Sequence, residues 1–249
     1  MNNKLSLIII ISIAFITLLF ILNTINKNKE STLLSNKISV NQEKYEKLNK
    51  LATQVQIDYF TKLLSDPVFI NKSEDKVYIE YIYVNEDYYV QVITDNNKKV
   101  LAFTVVSRKK DFNPILDYSG GEYTLLKNSL ADVRKNGNPE NCYLNIPASG
   151  PFSYYEDYYY GRPGLYQTYR VGNAQAGYFD QEKTKIDFSR LIEIRNKSSN
   201  SEDLDCSLLD SSFLNNMYIN AVMVIDEALQ DKKLPFDFGP LSDQVSRLK

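Results

Sequence analysis

The chain has 249 residues, with 29 Lys and Arg against 31 Asp and Glu, a formal net charge of -2, and neither His nor Trp. So even a balance supplies no field for phosphate backbones, and nucleic acid is not expected as a partner. Without His, imidazole metal sites, His-based triads and His proton shuttles are excluded, and no cofactor is expected.

Leu5 to Leu22 is an uncharged run whose only polar members are Ser6, Ser12 and Thr17. At a rise of about 1.5 Å per residue it nearly spans a hydrocarbon core of ~30 Å, which predicts a transmembrane helix in contact with the lipid bilayer. A cleaved signal would be shorter and end in small residues, whereas Leu22 leads into Asn23-Thr-Ile-Asn-Lys27, so the anchor is read as uncleaved. Lys4 on one side nearly balances Lys27, Lys29 and Glu30 on the other. Long domains translocate largely regardless of such charges, and a pair of cysteines fits an oxidising exterior. The expectation is a single-pass protein, N-in and C-out, with an extracytoplasmic body. Residues 1–25 are the anchor and 26–40 a polar stalk.

Ser39-Val-Asn-Gln42 offers a capping box, and Tyr45, Leu48, Ala52, Val55, Tyr59 and Leu63 then recur at intervals of three and four. That spacing predicts an amphipathic helix, with a break admissible near Thr53 to Gln56 and a stop at Asp66-Pro67. Val77 to Val84, Tyr88 to Thr94 and Val100 to Val106 follow, rich in β-branched and aromatic residues and separated by Asn- and Asp-bearing turns. They read as a three-stranded meander with one face more apolar than the other, and its cover should be the helix just upstream. This portion is assigned to residues 41–110.

The run Leu51 to Pro67 followed by three strands resembles the SmpA/BamE-like module, a short helix that stops before a β-meander. Tyr59-Phe60, Asp66-Pro67, Tyr88-Tyr-Val-Gln-Val92, Asp111-Phe-Asn-Pro114, Gly164-Leu-Tyr-Gln-Thr-Tyr169, Phe238-Gly-Pro240 and Asp243-Gln-Val245 resemble a family of bacterial single-pass membrane-anchored proteins. The second resemblance spans most of the chain and implies a single anchor without any attached activity.

In residues 111–249, Gly120-Gly121 punctuates the link to a helical run from Leu125 to Lys135, and Asn136-Gly-Asn-Pro139 repeats the helix-stop pattern. Strand candidates follow at Cys142 to Ile146, Tyr154 to Tyr160, Tyr166 to Val171 and Phe188 to Ile194. Tyr218 to Ile225 is a buried strand or helix that periodicity does not separate. The fold expected is α+β, an N-terminal transmembrane helix and then antiparallel β-meanders covered by helices. Two arrangements stay open, a pair of diverged tandem modules and one continuous domain. Cys142 and Cys206 lack the CxxC spacing of zinc or redox sites and are expected to form one disulfide.

The stretch from Phe152 to Tyr166 is dense in tyrosine, which joins apolar area to a polar handle and suits peptide, protein or glycan contact. Tyr154, Tyr155, Tyr158, Tyr159, Tyr160, Tyr166 and Tyr169 are the candidate binding residues, weighed against the alternative that their rings simply pack the sheet. Glu156 and Asp157 are adjacent on a strand, point to opposite faces and cannot flank one scissile bond. No nucleophile elbow, HExxH or Walker sequence occurs. The function expected is that of a membrane-anchored envelope binding or assembly module that contacts a protein, peptide or glycan through a tyrosine-rich surface. The alternative is a hydrolase that works through non-local carboxylates.

Overall fold

The computed structural model of the protein describes residues 40–118, 121–145, 152–161, 166–179, 188–197, 203–229 and 234–246. Met1–Lys44 and Tyr45–Lys249 are two compact units. Of the first, the described residues 40–44 are helical. The run Leu5 to Leu22 lies outside the described residues. Among the described residues no helix is long and apolar enough to cross a membrane.

The strands in chain order are β1 (Phe69–Lys72), β2 (Tyr78–Val84), β3 (Tyr88–Asp95), β4 (Val100–Ser107), β5 (Ile115–Tyr118), β6 (Gly121–Thr124), β7 (Asn141–Asn145), β8 (Ser153–Tyr160), β9 (Gln167–Asn173), β10 (Asp203–Leu204) and β11 (Ala221–Asp226). Nine of them form one sheet in the order β1-β2-β3-β4-β11-β9-β8-β7-β10, while β5 and β6 pair only with each other. Every neighbouring pair is antiparallel. The expected meander is present as β2, β3 and β4, and β7, β8 and β9 form a second. β11 lies between the two, with Val224 opposite Phe103 of β4 on one side and Tyr169 of β9 on the other.

The expected α+β body of meanders covered by helices is corrected by this architecture. The molecule is mostly one antiparallel sheet. Among the described residues the helices are few and short, at Ile57–Leu64, Leu130–Arg134, Phe188–Lys197, Ser211–Asn216 and Ser242–Ser246, besides the helical residues up to 48. The long helix read from Tyr45 to Leu63 does not form, because tertiary pairing overrides its periodicity. Gln54 N–H donates to Val100 O, Val100 N–H to Val55 O, and Ile57 N–H to Lys98 O, each within 2.9 Å. Gln54 turns to φ 69 to enter that pairing, and β-branched Val55 suits an extended backbone. Phe188 to Ile194, read as a strand, is helical. β11 joins both meanders into one hydrogen-bonded sheet.

The sheet is covered on both faces, unlike the half-covered meander expected. On the first face Tyr83, Val92, Phe103, Val224 and Tyr169 pack under Leu48, Phe60, the β5–β6 hairpin and Phe213. On the second, Ile93, Ala102, Val106, Met223 and Ile225 pack under Leu229, Phe238 and Val245. The second face also carries a buried polar ladder across β2, β3 and β4. Gln91 donates to Glu80 Oε1 (2.5 Å) and to Asp237 O (3.1 Å), and its Oε1 accepts from Thr104 Oγ1 and Gly239 N–H, each at 3.0 Å. Gln244 and Asn71 donate to Glu80 Oε2. The C-terminal residues 234–246 are thereby laced onto the sheet. Gly239 has φ +79, and a Cβ there would stand 2.8 Å from Ala174 Cβ, so only glycine brings this backbone close enough.

Cys142 on β7 and Cys206, which opens the 3-10 turn Cys206–Leu208, form the expected disulfide with a Cα–Cα distance of 5.5 Å. It fastens β10, which pairs Leu204 with Cys142 at the edge of the sheet. In the chain-entropy model, closing a loop of this length stabilises the fold by roughly 4 kcal/mol.

Two outcomes are expected in urea unfolding. Gln91→Ala removes donors to Glu80 and Asp237 O and the acceptor of Gly239 N–H, and should lower stability by about 2–4 kcal/mol. Reduction of the disulfide should lower the midpoint by an amount corresponding to roughly 4 kcal/mol, and Cys206→Ser should make the protein insensitive to reductant.

Candidate functional site

The tyrosine-rich run is strand β8, and strand geometry divides it. Tyr154, Glu156, Tyr158 and Tyr160 point to the first face, and Tyr155, Asp157 and Tyr159 to the second. Glu156 is fully buried and acts as a hub. Tyr154 donates its hydroxyl to Oε1 at 2.6 Å, Tyr158 donates to Oε2, and Arg134 donates from Nη2 at 2.6 Å and from Nε at 3.2 Å. Arg134 also reaches Cys206 O at 3.4 Å, which ties the cluster to the disulfide. Burial opposes the Arg134 charge, but the hydrogen bond and the field of Glu156 prevail and raise its pKa. A buried carboxylate with this many charge-assisted donors is a satisfied structural group. On the opposite face Asp157 accepts from Arg170 Nε at 2.8 Å and Nη2 at 3.0 Å. The Arg170 guanidinium lies 4.2 Å from the centroid of Tyr155, and Tyr155 stacks on Tyr143 at 4.8 Å.

The seven candidate tyrosines therefore do not share one face. Tyr154, Tyr158 and Tyr169 are wholly buried, and Tyr169 donates to Gln167 Oε1 at 3.0 Å. Tyr160 is half-buried and stacks on Tyr158 at 5.7 Å, its hydroxyl without a hydrogen-bond partner among the described residues. Tyr155 packs on the second face against Phe238 at 5.1 Å. Tyr159 and Tyr166, both half-buried, stack on each other with centroids 5.2 Å apart.

Tyr166 also lines a cleft of about 820 Å³. The cleft opens where the link at residues 49–54 passes over the ends of β4, β9 and β11, beside the β5–β6 hairpin. Its buried lining is Leu51, Thr53, Phe103, Tyr118, Val224 and Asp226, and its exposed lining Asn49, Ala52, Gln54, Asp117, Glu227 and Ala228. Hydrogen bonds fix the walls. Asn49 donates to Ile115 O (2.8 Å) and accepts from Asp117 N–H (2.9 Å), while Tyr118 OH donates to Leu48 O (3.0 Å). Gln167 donates to Thr53 Oγ1 at 2.6 Å and Gln54 donates to Asp226 Oδ2. Asp226 Oδ1 accepts from Ala228 N–H at 3.0 Å and so caps the 3-10 turn Glu227–Leu229. The result is a preformed concavity with an apolar floor and a polar rim, the usual form of a ligand site.

Of the cleft residues, only Tyr166 was a candidate from the sequence. Asp226 had a faint signal, a single acid ending the apolar run Ala221-Val-Met-Val-Ile225. Asp117, Gln54 and Gln167 had none, because they become neighbours only through pairings between distant strands. The Arg134–Glu156 pair was equally silent.

No family model and no curated protein matches the chain. Among solved structures it is similar to a cysteine-rich secretory protein from Staphylococcus aureus, at 12% identity and a TM-score of 0.36, over 75% of this chain and 47% of that one. The chain thus spans about half the length of that protein. At this identity and score the likeness carries neither fold nor function across.

Two outcomes follow from the tyrosine and Glu156 chemistry. Arg134→Met leaves Glu156 as a buried charge facing hydroxyls alone and should cost about 3–5 kcal/mol in urea unfolding. Adding Glu156→Gln, which removes the buried charge and keeps one acceptor oxygen for a tyrosine hydroxyl, should recover part of that loss, so the two changes are not additive. The second outcome concerns alkali. Burial raises the hydroxyl pKa of Tyr118, Tyr123, Tyr154 and Tyr158 above the ordinary 10.0, and pushes those of Tyr88 and Tyr155 up to about 12. Above the ordinary value the unfolded chain ionises while the folded one holds its protons. Stability is therefore complete below pH 10.0 and falls as pH rises through about 12. Tyrosinate absorbance should show part of the signal delayed and then released together with loss of the fold.

Proposed function

We propose that this chain is a non-enzymatic binding module held at a membrane through the run Leu5 to Leu22, with its body on the extracytoplasmic side, where it holds an envelope protein, peptide or glycan. The observation that carries the reading is the preformed cleft of about 820 Å³, with its floor of Leu51, Phe103 and Val224 and its rim of amide, carboxylate and Tyr166 groups. Of the seven candidate tyrosines, Tyr166, stacked on Tyr159, is the one that lines this cleft. The disulfide supports the compartment, since such bonds persist in oxidising surroundings. The alternative, a hydrolase, finds its foothold in Asp117, Asp226 and Glu227, which reach the same cleft from separate parts of the chain.

The test is photo-crosslinking in native membranes, with the crosslinker placed at the exposed cleft positions Ala52, Gln54 and Glu227, and at exposed Lys72 on β1 as control. Adducts are expected from the cleft positions and not from Lys72, and Tyr166→Ala should reduce them several-fold. Equal yields at all positions would count against a cleft ligand. Turnover of a bound peptide, lost in Asp226→Asn, would favour the hydrolase.

A further inference from the structure

The hydrogen-bonding groups that the cleft leaves open restrict what it holds, and this step rests on the binding reading above. Each side-chain amide of its walls already donates to the protein, Asn49 to Ile115 O, Gln54 to Asp226 and Gln167 to Thr53. The Tyr118 hydroxyl likewise donates to Leu48 O. The groups left over are Gln54 Oε1, the carboxylates of Asp117 and Glu227, and the Tyr166 hydroxyl, none with a hydrogen-bond partner among the described residues. All of them accept, and only Tyr166 also donates. No lining residue is basic, so nothing there pairs with a phosphate, sulfate or carboxylate. A peptide is poorly served as well, because it brings a carbonyl with nearly every N–H and those carbonyls would be buried against acceptors. A sugar hydroxyl carries its own donor and its own lone pairs, so a lining of acceptors satisfies it. The apolar part of the cleft suits the same ligand. A pyranose ring presents C–H groups on its faces, and Tyr166 is backed by Tyr159, with centroids 5.2 Å apart and the planes 19° from parallel. The pair forms an aromatic wall beside the floor of Leu51, Phe103 and Val224.

We infer that the cleft takes a neutral carbohydrate, with a sugar ring against Tyr166 and the apolar floor and its hydroxyls donating to Gln54, Asp117 and Glu227. Two sources share that chemistry, a neutral glycan of the envelope and a free oligosaccharide.

The experiment first identifies the adducts formed at Ala52, Gln54 and Glu227 in native membranes. They are expected to take a hydrazide label after periodate, which opens vicinal diols, and to yield no foreign peptide on digestion and mass spectrometry. A single small mass increment would assign a free oligosaccharide and a polydisperse one an envelope glycan, and either supports the site. Binding is then measured with the full-length chain in a detergent without a sugar headgroup. The probes are neutral oligomers of glucose, mannose, galactose and N-acetylglucosamine, with oligogalacturonate and a blocked leucine tripeptide as controls. At least one neutral oligomer is expected to bind, and neither control. For that oligomer Tyr166→Ala should weaken binding about tenfold, and Tyr166→Phe, which keeps the ring, less than about threefold. Asp117→Asn with Glu227→Gln keeps an acceptor oxygen at both positions and should change affinity less than about threefold, at low and high salt alike. Asp117→Ala with Glu227→Ala removes both acceptors and should weaken binding about tenfold. Both pairs alter exposed side chains and should fold normally. Loss of binding in the amide pair, or a strong dependence on salt, would mark a charged ligand and overturn the inference. A foreign peptide in the cleft adducts, or adducts without periodate label combined with no sugar binding, would also overturn it and leave the cleft as a binding site. Absence of cleft-specific adducts together with failure of every probe would remove both.

Discussion

The pairing of β11 along both of its edges is the constraint on which the rest of the structure depends. Each meander is a small sheet with an unpaired edge, and three or four strands alone leave both apolar faces short of cover. β11 supplies the missing neighbour for β4 and β9 at once. It also makes the two faces continuous, so that Val222 and Val224 link the first-face core while Met223 and Ile225 link the second. The cleft is a product of the same event. Val224 forms part of its floor and Asp226 part of its wall, beside Phe103 from the first meander and Gln167 from the second.

Buried polar groups then specify how the remaining pieces sit on this sheet. Dispersion and apolar burial would tolerate a C-terminal segment shifted by a residue, whereas Gln91 accepts only a partner that offers a carbonyl and an N–H in the places where Asp237 and Gly239 present them. Glu156 does the same for the second meander, since its donors arrive from the helix Leu130–Arg134 and from two tyrosines of its own strand. The buried tyrosines Tyr154, Tyr158 and Tyr169 are accommodated because one carboxylate accepts two of the hydroxyls and Gln167 a third.

Legibility in the sequence followed locality. β2, β3 and β4 could be read because alternation, aromatic content and turn residues all lie within the segment itself. The run from Tyr154 to Tyr160 could be read as a strand, but the face on which each ring lies buried depends on β9 and on Arg134, which no local pattern reveals. The break between residue 48 and the helix that starts at Ile57 was visible only as a pair of β-branched residues within Thr53 to Gln56, and its cause is a backbone pairing with Lys98 and Val100. Ala221 to Ile225 showed its burial and hid its type, because a fully buried strand loses the alternation that marks a half-buried one. The cleft was illegible for a related reason. It is made by residues from five separate segments that share no motif, and its one aromatic candidate, Tyr166, was read as part of a surface that the pleat divides in two.

The position of the disulfide bears on the order in which the molecule can assemble. The bond closes between Cys142 and Cys206, so the covalent ring contains β7, β8, β9 and β10 but ends before Ala221. A chain that emerges from its N-terminus can therefore oxidise and arrange the second meander while the slot between β4 and β9 is still vacant. Until the last strand arrives, two hydrophobic edges remain open, and long-range pairings of this kind are slow and prone to capture by other chains. Early oxidation shortens the search of the late strand by presenting β9 already held in its hairpin, so the thiol chemistry of the compartment becomes a kinetic partner in folding as well as a source of stability.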